Sequence, residues 1–141
     1  MPTPSELKKS LLTLGFEIYR TSPDQIALAD RVRDNLLMDA GVCVRMPELA
    51  VRVVLRAQAS DFPGDSADEL YERVRALAAL ATSKGYCEVG CNSVPVRDPG
   101  DRSRTLDTWY EVTFERKLDG DAELDAELRY ALSLEKTVAR R

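Results

Sequence analysis

The chain has 141 residues, of which 44% are hydrophobic and 31% charged, with 24 acidic against 20 basic side chains and a net charge of −4. A chain of this length suits one domain, burying roughly 68% of the surface its unfolded form exposes. The acidic balance argues against broad attraction to nucleic acid or anionic membrane, which needs a clustered excess of Lys and Arg.

No stretch approaches the ~20 consecutive apolar residues of a membrane span, and Met1-Pro2-Thr3-Pro4-Ser5-Glu6 lacks the charged and apolar regions of a signal peptide. The expectation is a protein that stays in the cytoplasm where it is made. Three cysteines, Cys43, Cys87 and Cys91, are an odd and sparse set, unlike a secreted disulfide framework, and read as free thiols.

Along the chain, Thr3-Pro4-Ser5-Glu6 fits a capping box, in which a hydroxyl and a side chain three residues later satisfy the first orphan N–H groups of a helix. The helix it opens closes at Gly15, since glycine adopts positive φ at little cost, and a strand-like run starts at Phe16. The stretch 22–40 is ambiguous. Ser22-Pro23-Asp24-Gln25 is a second capping signature and Gly41 a second helix-ending glycine, yet Ile26 and Leu28 alternate with polar neighbours as in a strand. A helical reading would make 16–97 β-α-β-β-α-β. The reading adopted is an extended Gln25–Asp30 followed by a loop.

From 50 to 57, Val51, Val53, Leu55 and Ala57 alternate with Arg52, Val54 and Arg56, the pattern of a half-buried strand. Ser66-Ala67-Asp68-Glu69 is a third capping box, and Leu70, Val74, Leu77, Ala78 and Ala81 lie along one face of a helix over 67–84 that ends at Gly85. In the strand 86–96, Cys87, Val89 and Cys91 share a face, read as buried structural thiols, until Pro95 limits pairing. That strand is expected to pair with 107–117. The connection Arg97 to Arg104 reads as too long for a two-residue turn and as a charged, mobile tip. In 109–116, Tyr110, Val112 and Phe114 oppose Trp109, Glu111, Thr113 and Glu115. Leu124, Leu128, Ala131 and Val138 predict a final helix over 121–139, opened by Asp121, Glu123 and Asp125 and closed by Lys136 and Arg140 in accord with its dipole.

The fold expected is α+β: a mixed, mainly antiparallel sheet of four to five strands, a central helix packed on it, and N- and C-terminal helices. One domain spans 1–141, with 119–141 a helical extension.

Histidine is absent, which removes the commonest general base and metal ligand at neutral pH. Cys87 and Cys91 are four apart on a strand, ~13 Å, too far to share a metal without a bulge at Gly90. Cap and turn duty accounts for Asp65, Asp68 and Glu69, which with Asp61 flank the Pro63-Gly64 turn but do not fit a calcium loop. There is no phosphate loop and no G-x-S-x-G motif. No catalytic, metal or cofactor residue is assigned. The candidates are for a protein interface: Arg52, Arg56, Glu111 and Glu115, whose charges oppose across outward faces; Trp109, the only tryptophan; and Arg97, Arg102 and Arg104 on the tip. The charges could equally pair within a sheet, and solvated surface, with a terminal helix covering Trp109, is the plainer alternative.

The order of these features resembles the tail-terminator, tail-completion and minor-capsid proteins of tailed phages and related particles. The residues that carry the likeness are Gly15-Phe16-Glu17-Ile18-Tyr19, Pro23 to Leu28, Leu49 to Arg56, the helix Ala67 to Leu80, and Ser93 to Arg102 leading into the aromatic strand Trp109 to Phe114. The likeness covers about 5–117 and rests on order, since each motif recurs widely. It implies a non-enzymatic virion protein that closes into a ring, commonly six-fold, against tail-tube or neck proteins. It also favours the extended reading of 25–30. The predicted helix after 120 departs from that pattern. A second resemblance, to small acidic secretion chaperones, would explain that helix and implies a dimer holding a client peptide.

Overall fold

The computed structural model describes residues 3–140. The architecture is α+β, with four helices and an antiparallel six-stranded sheet in the order β1-β2-β3-β4-β6-β5. The strands are β1 (Ile18–Ser22), β2 (Gln25–Arg33), β3 (Leu36–Arg45), β4 (Ala50–Gln58), β5 (Cys87–Asp98) and β6 (Asp101–Lys117). The helices are α1 (Pro4–Thr13), α2 (Ala67–Leu77), α3 (Ala79–Ser83) and α4 (Leu124–Ser133). The chain divides into two compact units, one of 1–53 with 115–134 and the other of 54–114 with 135–141.

In the first unit α1 begins as its sequence dictates. The Thr3 hydroxyl accepts from the Glu6 N–H while the Glu6 carboxylate accepts from the Thr3 N–H, and Leu7 and Leu11 are buried. Gly15, at φ 94°, lets the chain turn into β1. The second capping signature is not a helix start. Ser22 and Gln25 are partners across a hairpin turn of Pro23 and Asp24, and the Ser22 hydroxyl donates to Asp24 and to the Gln25 carbonyl. Proline presets the φ of a turn's second residue, so one pattern serves either structure.

The expected loop after Asp30 is also absent. β2 continues to Arg33 and returns through Asp34 and Asn35 as β3, with Asp30 opposite Met38 and Gln25 opposite Arg45. Gly41, at φ 74°, therefore lies inside β3, where the ladder shifts register, and its N–H donates to Asp39 Oδ1 at 2.8 Å. A bulge uses the left-handed region just as a helix end does. These two hairpins give six strands in place of four or five. Val42, Val44, Val51 and Val53 are buried together with Leu124, Leu128 and Ala131 of α4.

In the second unit the capping box of Ser66 and Glu69 opens α2, and Leu70 and Val74 are buried. The helical run breaks at Ala78, whose ψ of −2° ends α2 and starts α3. The Tyr71 ring meets Tyr110 of β6 edge-on at 5.2 Å, and Arg75 holds Glu88 of β5 at 2.8 Å. β5 and β6 connect through Pro99 and Gly100 alone, so the eight-residue tip expected from the sequence is instead continued strand.

The predicted helix over 121–139 is a single 3₁₀ turn (Asp121–Glu123) followed by α4, which ends at Ser133. Lys136, Val138 and Arg140 lie beyond it, so no basic residue closes its last turn. In the second unit, residues 136–138 run beside β4: the Arg56 N–H donates to the Lys136 carbonyl at 2.8 Å and the Val138 N–H to the Arg56 carbonyl at 2.9 Å. The register of β3 on β4 ends at Val53, so the later backbone groups of β4 need other partners. Meeting that need outweighs continued helix.

Candidate protein interface

In the first unit, Arg52 of β4 donates from Nε and Nη2 to one carboxylate oxygen of Glu115 on β6, at 3.3 and 3.0 Å. These two outward-facing residues have 27% and 17% of their side-chain surface exposed, so the pair is partly withdrawn from water. Cys43, across from Arg52 on β3, has its thiol pushed up from 9.0 to about 11; burial is the main cause, opposed by Arg52 and Arg45. It stays protonated through the physiological range.

In the second unit, Arg56 pairs with Glu111 at 3.1 Å and stacks over the Trp109 ring at 4.4 Å. Asp107 accepts from the Ser60 N–H and hydroxyl at 3.0 and 2.8 Å and from the Thr108 N–H at 2.7 Å. Burial works against its charge, yet these donors, together with the Trp109 side chain, hold its carboxyl below the usual aspartate range. Trp109 is thus held at both its ring and its polar edge by its own unit. The four opposed charges pair with one another within the sheet, Arg52 with Glu115 and Arg56 with Glu111. Trp109 remains only half-buried.

The three tip arginines are placed differently. Arg97 Nη1 donates to Thr105 Oγ1 at 2.9 Å across the β5–β6 hairpin, whereas Arg102 and Arg104 are exposed and enter no ion pair among the described residues. Every residue is exposed from Cys87 to Ser93 and from Asp101 to Leu106, whereas Val94, Val96 and Asp98 are half-buried. Val89 and Leu106 are large apolar side chains left in that region. β5 also ends the sheet, leaving one edge without a neighbouring strand among the described residues.

The reading of Cys87 and Cys91 as buried thiols is corrected, since both are exposed. Strand alternation puts residues on one face but does not by itself bury that face. Among the described residues no three His, Cys, Asp or Glu side chains gather as metal ligands. Asp65 pairs with Arg73 at 2.6 Å and Glu69 caps α2.

Sequence reasoning missed a second exposed hairpin, in the first unit, where Val32, Leu36 and Met38 project among charged neighbours near the β2–β3 turn. Its signal was the turn-forming pair Asp34-Asn35 between Val32 and the apolar run Leu36 to Met38. A recess of about 760 Å³ beside β1, lined by Lys8, Leu12, Phe16 and Tyr19 among others, contains none of the candidate residues. No helix among the described residues is long and apolar enough to cross a membrane. Comparison with known proteins finds no matching family model, no matching curated protein and no matching solved structure.

Proposed function

We propose that this chain is a non-enzymatic assembly protein that closes into a ring, in the manner of the phage tail-terminator and tail-completion proteins its order of elements resembles, with tail-tube or neck proteins as further partners. The observation that supports the reading best is the β5–β6 hairpin. Its exposed runs, 87–93 on β5 and 101–106 on β6, carry Val89 and Leu106 into solvent, and among the described residues the outer edge of β5 has no neighbouring strand. An exposed edge is a template for pairing with another chain, and on β5 the stretch before Pro95 keeps its backbone N–H groups for that purpose. Contacts between unlike surfaces generate rings when the rotation closes.

Native mass spectrometry over a wide concentration range, with and without a candidate tail-tube subunit, tests the proposal. A closed oligomer, six-fold in the simplest case, is the expected result. A monomer under every condition, including in assembled particles, overturns it, and a client-binding dimer would favour the secretion-chaperone resemblance.

A further inference from the structure

The end of β3, the loop after it and the facing end of β6 enclose a pocket of about 310 Å³ within the first unit, lined by Arg45, Met46, Pro47, Glu48, Arg52 and Lys117, with Glu115 on the same wall. Three of these side chains are cations and two are carboxylates, so the lining has one positive charge in surplus. Arg52 is matched to Glu115 at 3.0 Å, and Lys117 approaches Glu48 at 3.2 Å with both side chains more than 70% exposed, a pair that water largely screens. Arg45 is the cation left over. Its Nε is shielded from solvent and has no acceptor among the described residues. A buried donor without a partner is uncommon in folded proteins and points to a missing acceptor.

We infer that this pocket binds a carboxylate, which Arg45 receives through its guanidinium fork. A planar anion offers two oxygens to the paired N–H groups of an arginine. One negative charge offsets the surplus. A dianionic phosphate would meet repulsion from Glu48 and Glu115 on the same wall. Met46 and Pro47 supply apolar surface for the carbon attached to the carboxylate, as binding pockets commonly do. The carboxylate is either a small free acid or an Asp or Glu side chain of a second copy.

The test is a titration of the ¹⁵N-labelled full chain with sodium acetate, following the arginine Nε–Hε correlations, against sodium chloride at equal ionic strength. The Arg45 signal, identified by its loss in Arg45→Lys, is expected to shift saturably with acetate and not with chloride, together with the amides of Met46 and Glu48. Those amide shifts are expected to vanish in Arg45→Lys, which keeps the charge and loses the fork. A dilution series without acetate separates the sources. Movement of the Arg45 signal with protein concentration assigns the carboxylate to a second copy, and its constancy beside saturable acetate binding assigns it to a free acid. Shifts no larger in acetate than in chloride, or equal shifts at exposed Arg102 and Arg104, overturn the inference. If Arg45→Lys fails to fold, the wild-type amide shifts of Met46 and Glu48, saturable in acetate and absent in chloride, decide.

Discussion

Cys43 shows how one side chain links packing to pH. Its thiol lies half-buried, with Sγ 3.8 Å from Gln25 Oε1, and burial raises its pKa from 9.0 to about 11. The folded state then holds a proton that the unfolded state releases first, so stability is fully present below pH 9.0 and falls as pH rises towards about 11. The loss attributable to this group is on the order of 2 kcal/mol. Urea midpoints at the two ends of that window, for wild type and Cys43→Ala, check it: the variant should lose less on going to high pH. Exposed Cys87 and Cys91 should react with a thiol reagent well before Cys43. Arg56 gives a second prediction, since its guanidinium serves both Glu111 and the Trp109 ring. Arg56→Ala should cost about 1–3 kcal/mol through the carboxylate left half-buried and the lost stack. Because Trp109 is the only tryptophan, its emission should report the change directly.

Ser22 and Ser66 make a controlled comparison of two identical-looking signals. Each begins a hydroxyl-x-x-acid or amide pattern, but Ser66 caps α2 reciprocally with Glu69, whereas Ser22 closes the β1–β2 turn. Ser66→Ala should therefore lower unfolding free energy by about 1 kcal/mol, the usual worth of an N-cap. Ser22→Ala should cost no more than about 0.5 kcal/mol, because only a turn hydroxyl is lost. Chemical denaturation of the two variants side by side decides the matter, and equal losses would contradict the assignment. What separates the two sites is their surroundings. After Ser66 come Leu70 and Val74, spaced for a helix face, whereas Ile26 and Leu28 after Ser22 alternate and are buried in a strand.

For the molecule as an assembly component, stability and association should separate. Asp101 to Leu106, which include Arg102 and Arg104, are all exposed, so this run of the β5–β6 hairpin contributes little burial to folding. Reversing Arg102 and Arg104 to Glu should leave the melting temperature nearly unchanged, since exposed charges are individually worth ~0–1 kcal/mol. Association should fall more steeply if the hairpin meets a neighbour, because like charges brought together at an interface cost several kcal/mol. Melting temperature and native mass, measured on the same preparation, give the answer. Normal assembly by the double variant would return this hairpin to ordinary solvated surface. A large stability loss would mean that the strands support their own fold.

Features governed by neighbours along the chain are legible in the amino-acid sequence itself. The capping boxes at Thr3 and Ser66, the turns of Gly15 and Gly85, the alternation of β4 and β6 and the buried face of α4 all follow from contacts a few residues apart. The opposed charges of Arg52, Arg56, Glu111 and Glu115 are legible as sets able to pair within a sheet or between subunits, but the matching of Arg52 to Glu115 and Arg56 to Glu111 is not. Local pattern fails wherever two structures accept the same residues. Pro23 and Asp24 suit a helix start or a turn, and Gly41 a helix end or a bulge. The tail after Ser133 keeps helical spacing, yet the unpaired backbone of β4 near Arg56, far away in sequence, draws it out as an extended segment. Cys87 and Cys91 share the same limit: periodicity groups side chains by face, while burial depends on what the rest of the chain brings against that face.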